Sequence, residues 1–307
     1  MTREDYQLES KADGLLLSVM ALLPDKAPTG IVQFSHGMCE HKERYLPIME
    51  YLTERGFCCV IHDHRGHGKS VRSEEDLGYF YRAGANGAVA DLALVMTDAK
   101  QKHPGLSHYL FGHSMGSLIA TVFLKHLDDQ IDGLILCGYP VYRTGVVQAN
   151  LLAQMIASIR GGHYRSSLLQ ALFFKKFARR FPGESAQAWI CSDATCLDAY
   201  AKDPLCKFIF TANGFHALAS LMIESHSPSH WSVANPKLPI WSISGQEDVC
   251  MGAEEQFSQT VTNLQAHGYK NTFYHIYPSM RHEPLNEKEK HIVWSDIEEK
   301  LLLWNRS

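Results

Sequence analysis

Ser114 stands in the stretch Gly112-His-Ser-Met-Gly116, which follows the strand-forming run Tyr109-Leu-Phe111 and opens an apolar helical run, Met115–Leu127. A Gly-x-Ser-x-Gly between strand and helix makes a turn so tight that only small residues fit on either side, and it lifts the serine hydroxyl above the strand end. The helix N-terminus beneath it supplies unpaired N–H groups and a positive partial charge to an oxygen that becomes negative. A serine hydroxyl becomes nucleophilic when a base takes its proton, and that base needs a carboxylate to hold its tautomer. The turn therefore calls for an acid and then a histidine downstream, each in a loop after a later strand. Asp248 follows the run Ile240–Ser244, and His282 follows Thr272–Ile276. Ser114, Asp248 and His282 are the candidate nucleophile, orienting acid and base.

The chain has 17 histidines, and Glu247 adjoins Asp248, so each role has competitors. Glu247 reads as a solvated neighbour, His275 as mid-strand and His291 as part of a helical pattern. Cys39 is a rival nucleophile for which no base is placed. His62-Asp-His-Arg-Gly-His67 invites a metal reading, but Gly66 stands where a further acidic ligand belongs, so the segment reads as a loop packed beside the site. Phe34-Ser-His-Gly-Met38 closes the first parallel-type strand, where a second oxyanion donor is supplied, so the N–H groups of Met38 and Met115 form the candidate oxyanion hole. None of these steps requires a metal or an organic cofactor.

The elements that must hold these residues follow from periodicity. Lys11-Ala-Asp-Gly14 between two apolar segments predicts an opening hairpin. Short apolar runs at 31–34, 58–61, 109–111, 133–137, 240–243 and 272–276 then alternate with helical patterns such as Val89–Ala99 and Val293–Trp304. Strands separated by helices predict an α/β fold with a mostly parallel sheet flanked by helices. The rhythm breaks between about Pro140 and His230, where helical stretches (148–159, 167–181) come without a convincing strand. The expected organisation is a core of residues 1–140 and 231–307 with a helical insertion at 141–230.

With 307 residues, 45% hydrophobic and 20% charged, the chain is too apolar for disorder. A formal net charge of −4 gives no general footprint for nucleic acid. No apolar run reaches the roughly 18 residues of a spanning helix, and the N-terminus carries no signal-peptide core, so a soluble cytoplasmic protein is expected. The eight cysteines contain no Cys-x-x-Cys pair and read as reduced thiols.

Five blocks, His36–Tyr45, Asp63–Ser70, Gly112–Gly116, Gly245–Asp248 and Arg281–Glu287, occur in an order that resembles the monoacylglycerol lipase and lysophospholipase-like branch of the α/β-hydrolase superfamily. The resemblance spans essentially Ile31 to Trp304. It implies the α/β-hydrolase fold, with the insertion at 141–230 acting as a lid or cap over the serine, an apolar acyl tunnel, and a polar pocket for the leaving alcohol. It also implies that Glu40, Arg44 and Tyr200 contact the glycerol end of the substrate; Glu40 and Arg44 equally suit a structural ion pair at a helix start. Met38 and Ser117 depart from the family's smaller residues.

The expected function is a serine esterase or lipase acting on monoacylglycerols or similar single-chain lipid esters. The alternatives are a lysophospholipase, a short-chain carboxylesterase, or a non-catalytic ligand-binding protein of the same fold. An aminopeptidase lacks an acidic cluster assigned to a substrate amine, and a haloalkane dehalogenase needs Asp at position 114. The expected partner is a small lipid ester. Residues 141–183 carry seven basic and no acidic side chains beside Leu169, Phe173, Phe177 and Phe181, which suits transient contact with an anionic membrane surface.

Overall fold

The structure, a computed structural model, describes residues 1–177 and 179–306. The opening hairpin pairs β1 (Thr2–Glu9) with β2 (Leu16–Leu23) antiparallel across the expected turn. Then follow β3 (Gly30–Ser35), α1 (Leu46–Glu54), β4 (Phe57–His62), α2 (Gly84–Lys102), β5 (His108–His113), α3 (Met115–Leu127) and β6 (Gly133–Cys137). Four helices come next, α4 (Val146–Arg160), α5 (Ser167–Phe174), α6 (Ala194–Lys202) and α7 (Ala212–His226). The chain ends with β7 (Ile240–Gly245), α8 (Glu254–His267), β8 (Thr272–Tyr277) and α9 (Lys290–Trp304).

The eight strands form one sheet in the order β1-β2-β4-β3-β5-β6-β7-β8. β2 pairs antiparallel with β4, and every pairing from β4 through β8 is parallel. Side chains of period 2 divide the core between the two faces. Tyr109 and Phe111 of β5 and Ile135 and Cys137 of β6 pack with α1 and α9, whereas Leu110, Leu134 and Leu136 pack with α2, α3, α7 and α8. Apolar nearly all round, α3 has every residue from Met115 to Lys125 buried, because both sheet and surrounding helices cover it.

The insertion between β6 and β7 contains helices and, among the described residues, no strand. α5 ends at Phe174, short of the expected 181. Lys175 and Arg179, like Lys176 and Arg180, are spaced i,i+4, where like charges oppose helix continuation, and Pro182 follows. Ala178, within that span, lies outside the described residues. α7 was not legible as a helix; its Phe215, Leu218 and Leu221 pack into the same apolar cluster as α3. No helix among the described residues is long and apolar enough to cross a membrane.

Candidate active site

β5 delivers Ser114 to the carboxyl end of the sheet, where the chain turns with Ser114 at φ 51° and ψ −116°. A left-handed backbone at a non-glycine residue costs on the order of 1–3 kcal/mol, and here the packing around it enforces the strain. Added Cβ atoms would lie 1.9 Å from the Ser35 carbonyl oxygen at Gly116 and 2.7 Å from the Gly116 carbonyl oxygen at Gly112. Both flanking residues must therefore be glycine for β3, β5 and α3 to approach this closely. Ser117 donates its hydroxyl to the Ser114 carbonyl at 2.5 Å.

The loops after β7 and β8 bring the other two candidates to Ser114. His282 Nε2 lies 2.8 Å from Ser114 Oγ, and its Nδ1 lies 2.9 and 3.0 Å from the two Asp248 carboxylate oxygens. Asp248 also accepts from the Ser244 hydroxyl and the Cys250 N–H. Burial alone would raise Asp248, but the charge and hydrogen bond of His282 hold it below the usual carboxylate range. Burial likewise would lower His282, yet the Asp248 carboxylate lifts the imidazole well above its ordinary value.

That shift has a kinetic sign. An imidazolium cannot take the serine proton, so with His282 as the base kcat/KM should rise with pH through its pKa, with a midpoint above the ordinary imidazole value of 6.5. Asp248→Asn removes the charge that raises it. In this variant the midpoint should move to lower pH, and the plateau should fall by roughly 10⁴-fold because the tautomer is no longer held. Rates of hydrolysis of an activated aryl ester across pH check this; an unmoved midpoint would show that Asp248 does not set the charge of His282.

The competitors lie elsewhere. The Glu247 side chain is 46% exposed and pairs with Arg281 at 3.4 Å. His275 is exposed on the edge strand β8, and His291 stacks edge-on against Trp294. Burial pushes the Cys39 thiol up, and it donates to the Phe208 carbonyl. The segment 62–67 buttresses the site: Asp63 accepts from the Lys42 N–H and Lys42 Nζ, and His64 N–H donates to His36 beside the Gly37-Met38 turn. Among the described residues, two groups of side chains could converge on a metal ion. One, Asp248, Cys250 and His282, is shared with the serine's partners, and in the other, His41, Asp203 and Cys206, His41 already bonds Asp203 at 2.8 Å.

Met115 opens α3, so its N–H is among those the helix cannot pair. The turn at Gly37-Met38 lies against the serine, since a Cβ on Gly37 would stand 3.2 Å from Ser114 Cβ. Met38, Met115, Ser114 and His282 all line one cavity of about 800 Å³. Its walls are largely apolar, with Leu118 from α3, Phe173 and Phe174 from α5, and Leu218 and Met222 from α7. Trp189, which the sequence did not single out, sits 5.2 Å from the His282 ring and 4.9 Å from that of Phe177.

Glu40, Arg44 and Tyr200 do meet. Arg44 Nη1 donates to Glu40 at 2.8 Å, and its guanidinium lies 5.0 Å from the Tyr200 ring centroid. Arg44 also grips Glu283 with two bonds, of 2.8 and 2.6 Å. Glu40 and Tyr200 line the cavity, whereas Arg44 sits behind them in a small void beside Tyr45 and Trp294. Glu283 was missed in the sequence, although it directly follows His282 in the Arg-His-Glu block. Its spacing from Arg44 is 239 residues, so only the fold reveals the pair.

The family described as serine aminopeptidase, S33 (Hydrolase_4), matches residues 26–289 of the chain. The chain belongs to this family of serine hydrolases. A monoacylglycerol lipase of Mycolicibacterium smegmatis is 26% identical to this hydrolase over 280 residues, covering 89% of this chain and 88% of that protein. Lysophospholipase L2 of Escherichia coli is 30% identical over 137 residues, 44% of this chain and 39% of its own. Among solved structures, a thermostable carboxyl esterase from Bacillus coagulans in complex with glycerol superposes with a TM-score of 0.89 at 23% identity, covering 99% of both chains. The α/β-hydrolase fold expected from the sequence is the fold of this hydrolase.

Proposed function

We propose that this hydrolase is a serine esterase that cleaves monoacylglycerols or similar single-chain lipid esters through an acyl-enzyme. The observation that carries the reading is the largely apolar cavity of about 800 Å³ that opens onto Ser114, a size within the range of small-ligand pockets. Similarity to a monoacylglycerol lipase over most of both chains supports it. Ser114 Oγ attacks the ester carbonyl as His282 takes its proton, and the N–H groups of Met38 and Met115 stabilise the oxyanion. His282 then gives the proton to the leaving alcohol, and water releases the acid with His282 again as base. Asp248 stays ionised and holds the imidazole throughout.

Residues 141–230 act as a cap over the core of residues 1–140 and 231–307, and the side chains of α5 and α7 form the acyl wall. On the alcohol side, Glu40 and Arg44 are already saturated by each other, Glu283 and His113, which favours the ion-pair reading of this pair. Tyr200 is the residue of the three that remains to meet the glycerol. The same pairing argues against an aminopeptidase, since Glu40 and Glu283, two carboxylates lining the cavity, are both already engaged by Arg44.

The cap carries a stripe of exposed apolar side chains, Val147, Leu151, Met155 and Ile159 of α4, each 44–72% exposed, with Leu168 and Leu172 of α5 nearby in the chain. Together with the seven basic residues of 141–183, this stripe suits docking on an anionic lipid surface. Eight free cysteines, seven of them buried, are consistent with a cytoplasmic location.

A matrix of hydrolysis rates tests the reading, with acyl length varied against glycerol, glycerophosphocholine and ethyl leaving groups and long-chain glycerol esters presented in anionic or zwitterionic vesicles. Long-chain monoacylglycerol should lead, and Phe173→Asp should lower kcat/KM for long-chain esters more than for acetyl esters. Faster turnover of glycerophosphocholine esters would make the protein a lysophospholipase. A preference for acetyl esters would make it a short-chain carboxylesterase, and failure of Ser114 to take a fluorophosphonate would leave a ligand-binding protein. Equal rates on the two vesicle types would remove the anionic docking surface.

A further inference from the structure

His113 lies between the two halves of the site, yet the reaction described above gives it no part. It is the last residue of β5, immediately before Ser114, and it is buried. Its Nδ1 lies 3.1 Å from Glu40 Oε1, and its Nε2 lies 3.1 Å from the main-chain carbonyl oxygen of His282. Both partners are acceptors. The carbonyl has no proton to give, and the Glu40 carboxylate is ringed by donors: the Gly37 N–H, the Tyr45 hydroxyl at 3.0 Å and Arg44 Nη1 at 2.8 Å.

A neutral imidazole has one N–H and one lone pair, so it can make one of these two bonds and must turn a lone pair toward the other oxygen. Both bonds form only when the ring carries two protons. The charges around it point the same way. Glu40 and Glu283 bring two negative charges into a buried cluster where Arg44 supplies one positive charge, and buried charge is stable when paired.

The ring thereby touches both loops that must meet at Ser114. The Glu40 oxygen that faces His113 also holds the Gly37 N–H, and Met38, the next residue, offers the oxyanion N–H. On the other side, the ring holds the carbonyl of the catalytic base itself, with the two imidazole centroids 4.9 Å apart. We propose that His113, doubly protonated, is a positioning residue that fixes the oxyanion turn through Glu40 and the base loop through the His282 carbonyl, so that both face Ser114 in one geometry. The inference rests on the serine-esterase reading and adds no bond-making step to it.

His113→Gln tests it, because the amide can serve one acceptor but cannot span both or bring the charge. With a p-nitrophenyl butyrate substrate, kcat should fall about 10- to 100-fold while KM stays within about twofold, the size expected when reacting groups are slightly misplaced. Affinity for a trifluoromethyl ketone, which forms an oxyanion on Ser114, should fall by a similar factor; a side chain that only stabilised the fold would not make these two losses track each other. Nitrogen-15 NMR of the histidine-labelled wild type at neutral pH, with His113 assigned through its backbone link to Ser114, should show both ring nitrogens protonated, and it needs no variant to fold.

A neutral tautomer, unchanged kcat, or ketone affinity untouched while kcat falls would each overturn the inference. If Ser114→Ala keeps hydrolysis, the esterase reading fails and this one with it. If Ser114→Ala is inactive and His113→Gln behaves as wild type, only the role of His113 falls.

Discussion

Ser114→Ala and His282→Ala should each remove ester hydrolysis by about 10³-fold or more, because nucleophile and base act as a unit. Folding should survive in Ser114→Ala, since the hydroxyl bonds His282 and the strained turn is held by Gly112, Gly116 and the surrounding strands. Fluorophosphonate labelling should vanish with it. Glu247→Gln should stay close to wild type, because that side chain is half in solvent and pairs with Arg281 rather than with His282. Wild-type turnover in Ser114→Ala, or a collapse of activity in Glu247→Gln, would reassign the site.

The second large effect is on stability. Arg44→Ala should cost about 3–5 kcal/mol, the range for removing one partner of a buried ion pair. The guanidinium is 12% exposed and bridges Glu40 and Glu283, whose side chains are 3% and 6% exposed, so its loss strands two carboxylates away from water. Urea denaturation followed by tryptophan fluorescence reads the loss as a lower midpoint. Lys202→Ala breaks an ion pair whose side chains are 75% and 62% exposed and should leave the midpoint where it was. Equal shifts in the two variants would show that the Arg44 cluster is not a structural element. Because Arg44 sits behind the cavity wall, its variant should lose activity on glycerol and ethyl esters alike once the fold loosens.

Several strands and helices could be read from the chain because their side chains repeat the geometry of the element. Short continuous apolar runs in β5 and β6 mark sheet residues buried on both faces, and the apolar run of α3 marks a helix covered on all sides. The segment between β6 and β7 was harder to read. α6 has no buried residue and α7 is partly polar along its length, so periodicity alone gave neither a face to recognise. Like-charge repulsion after Phe174 ended α5 sooner than its apolar pattern suggested.

Within the site, the sequence by itself determined what adjacency and chain order can specify: Gly112 and Gly116 around Ser114, an acid and then a histidine after later strands, and the His36-Gly-Met38 turn after β3. Those features are local, since a strained turn needs particular residues within a few positions of one another. The tertiary structure alone decided which neighbours each residue keeps. It placed Arg44 against Glu283 across 239 residues, Trp189 over His282, and His113 between Glu40 and the His282 carbonyl. Hydrogen bonds and buried charge pairs act through space at about 3 Å, and no spacing along the chain encodes which distant loops the sheet will bring within that reach.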